Sequence, residues 1–267
     1  MSMGLPQNER IQFKKSPLRL VIGQIRFTIM PRFEQKGFIA DFQEAIRADY
    51  PKTSREAVVT YQLSPRGINS DTNNTAWRFS SKDLQWAVII NEAALTLEAR
   101  NYRSINDFID RFQHLLEAAQ EVLEITDCLR LGLRYINELR YPAAETLADW
   151  QGLLNPELVG FDAAQLLSGQ LNHTLQEIQI SRPDGTFAIR HGLLNGAAVP
   201  PLPKEEPGGG RFYLLDLDYY DNNEYDLDIP DILKKMRNYN EITSRFFRWT
   251  LNEKLFTYLE PENVKHQ

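Results

Sequence analysis

The sequence has a single cysteine, four histidines and no long apolar run. Because Cys128 is alone, the chain cannot form an internal disulfide, and its leucine neighbours predict a buried, unreactive thiol. No stretch approaches the ~20 apolar residues of a membrane helix, and residues 1–20 lack the apolar segment of a secretory leader. These absences predict a protein of the reducing cytoplasm with no membrane contact.

The sequence also lacks the short motifs of common catalytic sites. It has no glycine-rich phosphate loop, no G-x-S-x-G elbow and no H-E-x-x-H. Among the histidines, only His173 and His191 fall on adjacent predicted strands, where a packing role is commoner than metal ligation. We therefore predict no catalytic residue and no cofactor.

Composition favours a globular protein over a nucleic-acid binder. The 36 acidic residues outnumber the 30 basic ones, giving a net charge of -6 that opposes binding of phosphate backbones by the whole surface. A local basic patch remains compatible with this average. A length of 267 residues favours two linked subdomains over one core.

The first half, residues 1–142, alternates strand and helix patterns. Strands are predicted at 17–30, 56–64, 75–81, 84–91, 94–99 and 128–139, and helices at 37–49 and 104–123. Ser104 and Asp107 have the spacing of a helix N-cap, before apolar residues at helical intervals. The order β-α-β-β-β-β-α-β predicts a ferredoxin-like (split βαβ) arrangement with an extra hairpin.

The second half, residues 143–267, is predicted as β-β-β-α. The predicted elements are short helices near 145–154 and 162–167, strands at 172–181, 186–194 and 211–220, and a long helix from Asp228 to Leu259. Segment 196–210 has no periodicity and is predicted to be an exposed, mobile loop. The chain is thus predicted to be α+β, with two antiparallel sheet-plus-helix subdomains.

Six acidic residues lie between Asp216 and Asp228. Asp216 and Asp218 are two apart on a predicted strand, so their carboxylates share a face and need a cation, an arginine or water between them. A metal site would follow if Asp221 or Glu224 curled back toward them. The calcium-loop pattern fails, because Asp221 occupies the glycine position and Leu227 the glutamate position. The structural interpretation pairs Asp216 and Asp218 with arginines of neighbouring strands. The alternative is a metal-dependent hydrolase or nuclease.

Several arginines lie on predicted strands beside apolar residues, namely Arg26, Arg78, Arg130 and Arg134. A buried guanidinium is costly unless it is paired. If the sheet gathers these arginines, they would hold a phosphate or carboxylate through forked hydrogen bonds, with Gln24 as a neutral helper. The alternative is that each arginine pairs with a local acid such as Glu98, Glu138 or Asp216.

Several segments resemble a sporadically distributed family of bacterial proteins of about this length, which has no assigned activity. The segments are IGQIRF (22–27), RFSS (78–81), LTLEARNYRSINDF (95–108), LRLGLRYIN (129–137) and LLDLD (214–218). The resemblance implies an accessory-genome protein, acting with its neighbours in a defence or toxin-related locus. It carries over no catalytic residues.

These observations predict a non-enzymatic cytoplasmic bacterial protein that recognises a partner protein or a small anionic ligand. The candidate surfaces are the arginine-bearing sheet, the loop 196–210 and the last helix. Sheet edges and an aromatic-rich helix also favour self-association as a homodimer. A third and weaker expectation is RNA binding across the sheet, which predicts an affinity that falls steeply with salt concentration.

Overall fold

The protein is an α+β protein in which helices accompany a large antiparallel sheet, as predicted. The structure, a computed structural model, describes residues 4–6, 11–35, 37–64, 67–160, 167–202 and 209–263. Within these ranges, no helix has both the length and the apolar character needed to cross a bilayer.

The strands are β1 (Ile11–Phe13), β2 (Leu18–Arg26), β3 (Lys52–Ser64), β4 (Gly67–Ser80), β5 (Trp86–Asn91), β6 (Ala94–Ala99), β7 (Asp127–Cys128), β8 (Arg130–Leu139), β9 (Gln176–Arg182), β10 (Gly185–Asn195), β11 (Arg211–Asp221), β12 (Tyr225–Asp226) and β13 (Pro261–Asn263). The helices are α1 (Phe38–Ile46), α2 (Ile105–Leu123), α3 (Leu147–Gln151), α4 (Pro156–Val159), α5 (Ile229–Thr250) and α6 (Glu253–Tyr258), with a 3-10 helix at Pro31–Glu34.

The chain forms two compact units, each assembled from separate segments. Unit 1 comprises Met1–Leu20, Arg134–Tyr219 and Arg237–Gln267, and unit 2 comprises Val21–Leu133 and Tyr220–Met236. This division differs from the sequential halves 1–142 and 143–267. The reason is that β8, β11 and α5 each contribute residues to both units, so a change of pattern along the chain does not mark a boundary in space.

Unit 2 has the predicted ferredoxin-like arrangement. Its strands follow the order β3-β4-β5-β6-β2-β8, so β2 and β3, which α1 connects, are separated in the sheet as a split βαβ requires. Both helices pack on the sheet through aromatic residues. The ring of Phe42 on α1 lies 6.3 Å from that of Phe79, and the ring of Phe108 on α2 lies 5.9 Å from that of Trp86.

Helix α2 begins where its sequence predicts. The Ser104 side chain accepts a hydrogen bond from the Asp107 N–H, which satisfies one of the free donors of the first turn. Gly23 on β2 lies directly under this helix, because a Cβ there would stand 2.8 Å from Phe108 Cε1. Glycine at this position therefore lets the helix approach the strand closely.

Unit 1 contains the sheet order β8-β11-β10-β9, with one face covered by the part of α5 that belongs to it. Phe246 of α5 meets Phe187 at a ring distance of 5.3 Å, and Tyr239 stacks on Tyr219 at 4.4 Å. The hairpin of β9 and β10 turns at Pro183, as predicted, with Arg182 paired to Gly185.

The predicted helix from Asp228 to Leu259 is two helices. Its start is confirmed, since Asp228 Oδ1 accepts a hydrogen bond from the Asp231 N–H at 3.0 Å. Helix α5 ends at Thr250, and the Asn252 side chain caps α6 by accepting a hydrogen bond from the Leu255 N–H at 3.0 Å. Asparagine favours this capping geometry over continuation of a helix, so the apolar periodicity alone missed the break.

Other boundaries also differ from the prediction. Strand β4 begins at Gly67 rather than near residue 75, because pairing with β3 extends the hairpin through residues whose polar character predicts a turn. Most of the predicted helix 162–167 lies outside the described residues, as does 203–208 of the loop 196–210. Near its two ends this loop is tied down, since the Ala198 N–H donates to Glu138 and the Arg140 guanidinium donates to the Gly209 carbonyl.

We expect Gly192→Ala to destabilise the protein by about 1–3 kcal/mol, because the added methyl group would overlap the backbone carbonyl of Thr174. Gly209→Ala is the matched control, since a Cβ at Gly209 meets open space. Urea unfolding of the three proteins measures the difference. Equal midpoints and slopes for Gly192→Ala and wild type would contradict the predicted overlap.

Candidate binding surfaces

A row of paired residues crosses the sheet of unit 2 and includes two of the predicted site residues, Arg78 and Gln24. Arg78, Ile89, Thr96 and Gln24 lie opposite one another on β4, β5, β6 and β2. The Gln24 amide donates to Thr96 Oγ1 at 2.9 Å and accepts from Arg130 Nη1 at 3.2 Å. Gln24 is therefore in contact with Arg130.

Arg78 pairs with local acids. Its Nε donates to Glu56 at 2.6 Å and its Nη1 donates to Glu98 at 2.9 Å. Two carboxylates therefore neutralise one guanidinium, which is what the alternative interpretation of the strand arginines predicts. Arg78 serves to hold β3, β4 and β6 together on this face.

Arg130 and Arg26 have different surroundings. The guanidinium of Arg130 lies 4.9 Å from the ring centre of Tyr220 and against Gly132, where a Cβ would stand 2.6 Å from Nη1. Gly132 therefore leaves the room that this guanidinium occupies.

Arg26 follows Gln24 by two positions, which places both on one face of β2, and its side chain is exposed. Among the described residues, Arg26 forms no ion pair.

Arg134 belongs to a chain of charges in unit 1. Its Nε and Nη2 donate to the two oxygens of Asp216 at 2.7 and 2.6 Å. Arg190 Nη1 lies 3.6 Å from the same carboxylate, and its Nε donates to Glu177 at 2.9 Å. The hydrogen bonds to Asp216 raise the pKa of Arg134. The predicted pairing of Asp216 with arginines of neighbouring strands is confirmed.

The other acids of the late segment have structural surroundings. Asp218 is buried. Asp221 accepts a hydrogen bond from the Asn223 N–H at 2.9 Å, within the turn that follows β11. Within the described part of the chain, no group of three or more His, Cys, Asp or Glu side chains is arranged to hold a metal ion. Both oxygens of Asp216 are engaged by Arg134, so metal binding there would have to displace an ion pair.

The two strand histidines do not face each other. His191 lies opposite Gln176 and is buried, whereas His173 precedes β9 and is exposed. The Nδ1 of His191 is 2.8 Å from the hydroxyl of Tyr213, and burial lowers the pKa of His191. Cys128 is buried as predicted, and burial raises the pKa of its thiol. His191 and Cys128 are therefore buried among packed side chains, whereas His173 is not.

Strand β9 is the outermost strand of its sheet among the described residues, and it is exposed on both faces. The exposed fractions are 43% for Ile178 and 44% for Ile180, which is unusual for isoleucine. The register places Ile178 opposite Ile189 and Ile180 opposite Phe187, so both isoleucines extend the apolar face of β10 beyond its cover.

The direction of the backbone groups of β9 follows from its pairing. The Thr174 N–H donates to the Leu193 carbonyl at 2.9 Å, and the pairs from Gln176 with His191 to Arg182 with Gly185 keep the residue offset of that pair. Since hydrogen-bonded and non-bonded pairs alternate in an antiparallel ladder, even-numbered residues of β9 bond to β10. Glu177, Gln179 and Ser181 therefore direct their N–H and C=O groups away from β10. We call this the free edge.

The tip of this hairpin is fixed to the rest of unit 1. Asp184 accepts hydrogen bonds from the Tyr219 hydroxyl at 2.6 Å and from Asn238 of α5 at 2.7 Å. Arg182 also donates to the Tyr219 hydroxyl, at 2.8 Å. Burial and the hydrogen bond to Asp184 raise the pKa of Tyr219 to about 12, so this hydroxyl stays protonated at neutral pH.

A half-open cavity of about 290 Å³ lies in unit 2, between the segment after β2 and the end of α2. Phe27, Met30 and Phe38 line it, and Arg32 and Glu124 form an ion pair at its wall at 3.6 Å. Asp127 accepts hydrogen bonds from both the N–H and the hydroxyl of Thr28. The polar groups of the wall thus bond mainly to one another.

The sequence matches no protein-family model, and a search of curated proteins found none that matches it. Geometry alone therefore separates the candidate surfaces. Of the predicted residues, Gln24 and Arg130 are in contact, while Arg78 and Arg134 are each held by carboxylates. The free edge was not singled out from the sequence, because the pattern of β9 resembles that of any strand with one buried face.

We expect the stability of the protein to fall as the pH drops below about 6.5, the ordinary pKa of histidine. Burial lowers the pKa of His191, so below that pH the unfolded chain binds a proton that the folded chain does not. The free energy of unfolding should keep falling until the pH reaches the lowered pKa of His191 in the folded chain. Its slope over this range should be up to about 1.4 kcal/mol per pH unit. His191→Gln and His191→Phe should both flatten this dependence in urea unfolding series. Slopes equal to that of wild type would contradict it.

Proposed function

We propose that this protein is a non-catalytic interaction protein that binds a partner protein along the free edge of β9 by strand addition. The observation that carries this function is the exposure of Ile178 and Ile180 on a strand whose outward backbone groups face away from β10. An added strand would satisfy those groups, and its alternate side chains would cover the isoleucines.

Edge strands of monomeric proteins usually carry features that prevent such pairing. Lysine, proline, bulges or short length serve this purpose in many sheets. Strand β9 has seven residues, QEIQISR, with neither lysine nor proline and with a regular register to β10. Covering the exposed part of each isoleucine would contribute roughly 1 kcal/mol. The edge is therefore built to accept a strand rather than to repel one.

This function fits the expectation of a bacterial protein that acts in the cytoplasm beside its neighbours in a defence or toxin-related locus. Strand addition recognises backbone groups, and alternate side chains supply the selectivity. The mode requires no catalytic residue. It also requires no cofactor.

Gln179→Pro tests the free edge with little disturbance of the fold. The Gln179 N–H points away from β10, so proline removes a donor that only an added strand would use. Gln179→Ala keeps the N–H and is the matched control. In affinity purification from host extract with quantitative mass spectrometry, we expect a protein retained by wild type and Gln179→Ala and lost with Gln179→Pro. Identical retained sets for all three proteins, together with an oligomeric state that Gln179→Pro leaves unchanged, would refute strand addition.

A second candidate function is the binding of a small anionic ligand by Arg26, Gln24 and Arg130. The exposed guanidinium of Arg26 favours it, because this side chain shares a strand face with Gln24, which Arg130 contacts. A phosphate or carboxylate at this place would accept forked hydrogen bonds from guanidinium groups. Arg78 and Arg134 are excluded from this smaller site because carboxylates already engage them.

Inorganic phosphate is the probe for this second site. We expect the melting temperature of wild type to rise saturably with phosphate at constant ionic strength, since a ligand that binds only the folded state stabilises it. Arg26→Ala should lose the rise. Arg47→Ala, which removes an exposed arginine that follows α1 and pairs with Glu44, should keep it. A flat response in wild type, or equal responses in all three, would eliminate the site.

A further inference from the structure

We infer that the strand added to β9 is β9 of a second copy of this chain, paired antiparallel about a two-fold axis at Gln179. This inference rests on the proposed function, because it uses the same free edge. It adds the identity of the partner and the register of pairing. Sheets of the two copies would then run continuously through the axis.

The register follows from which residues face outward. In an antiparallel pair centred on Gln179, the outward residue Gln179 bonds to Gln179 of the second copy, and Glu177 bonds to Ser181 of the second copy. All seven residues of β9 then find a counterpart, because Gln179 is the middle of the strand. The backbone groups that β10 leaves unused are therefore those that this pairing uses.

The side chains agree with the same register. Ile178 of one copy lies opposite Ile180 of the other, as a non-hydrogen-bonded pair in which side chains approach most closely. The two isoleucines of each copy thus join into one apolar cluster, on the face that Phe187 and Ile189 already occupy. Exposed apolar surface on one copy is matched by identical surface on the other.

The charged side chains of β9 are also compatible with self-pairing. Glu177 is already held by Arg190 at 2.9 Å, and its counterpart in the second copy is the neutral Ser181. Arg182 has Gln176 opposite it, whose amide oxygen accepts a hydrogen bond. No two like charges face each other, so the interface needs no partner of opposite net charge.

Other positions of the two-fold axis along β9 give less favourable pairs of residues. An axis at Glu177 places two Glu177 carboxylates opposite each other. An axis at Ser181 places Pro183, which has no N–H, opposite Gln179. An axis at Ile178 sets Ile180 against Gln176 and leaves Arg182 beyond the paired strands. Of these axes, only the one at Gln179 places both isoleucines of each copy opposite isoleucines of the other.

The interface is one strand wide, which places it at the small end of specific interfaces and predicts a dimer that dissociates on dilution. Sedimentation velocity over a concentration series should show a particle of twice the 30.9 kDa chain mass at high concentration. Gln179→Pro should weaken the dimer by at least about tenfold, since it removes both hydrogen bonds at the axis. Gln179→Ala should dimerise as wild type does.

A second variant guards against a folding defect in Gln179→Pro. Ile178→Glu leaves the backbone groups unchanged and places a charge against Ile180 of the second copy. It should also dissociate the dimer. Melting curves show whether each variant is folded, and a folded Ile178→Glu that dimerises like wild type would overturn the inference.

Cysteine cross-linking tests the register. Gln179→Cys places two thiols at the axis, where Cα atoms of a hydrogen-bonded pair lie about 5.5 Å apart, within disulfide range. Glu177→Cys is the matched control, because its two copies would lie roughly 14 Å apart along the strands. Mild oxidation should link Gln179→Cys and leave Glu177→Cys and wild type, whose Cys128 is buried, as monomers in denaturing gels.

The outcomes separate this inference from the proposed function. A chain that is monomeric at every concentration, with no cross-link at Gln179→Cys, overturns self-pairing. If a host protein is still lost with Gln179→Pro, strand addition survives with a different partner. Equal cross-linking of Glu177→Cys and Gln179→Cys overturns the register. The expected pair of results is a concentration-dependent dimer and a selective cross-link at residue 179.

Discussion

The hydrogen bond from the Thr174 N–H to the Leu193 carbonyl fixes the phase of the outer hairpin. An antiparallel ladder alternates its bonding pairs, so this one bond determines which residues of β9 are used internally and which face outward. A slip of one residue would reverse every assignment, turning Gln179 inward and Ile178 to the opposite face. The candidate interface depends on that phase.

Each unit shows how arginines on strands are accommodated. A half-buried guanidinium loses hydration and must recover it from carboxylates, amide oxygens or aromatic faces. Arg134 uses the forked geometry of Asp216, Arg78 bridges Glu56 and Glu98, and Arg130 uses Gln24 and the ring of Tyr220. Each of these arginines is thus engaged by contacts within its own unit, which is why arginines on predicted strands do not by themselves imply a ligand.

The sequence predicted most of the elements, because their signals are local. Ser104 caps α2, Asp228 caps α5, and Leu95 and Leu97 alternate along β6, so short windows were enough. The break before Asn252 was missed, since capping competes with an apolar stripe that continues past it. The pairing of Asp216 with an arginine was also foreseen, because a buried carboxylate needs a cation.

What the sequence could not supply was long-range order. Whether a strand lies at the edge or the centre of a sheet depends on its neighbours, and nothing in QEIQISR distinguishes the two. His173 and His191 were placed on neighbouring strands, yet the register sets His191 opposite Gln176. The division into compact units failed to follow Pro142 for the same reason, because segments distant in sequence assemble each unit.

The anchoring of Asp184 has a consequence for how fast and how firmly β9 can be joined. With the turn held by Tyr219 and Asn238, the strand is preorganised in its extended form before any partner arrives. The conformational entropy of ordering it is then lost during folding of the chain, and an encounter does not have to pay it again. A rigid hairpin of this kind docks as a template, and in the proposed dimer both strands are ordered before they meet.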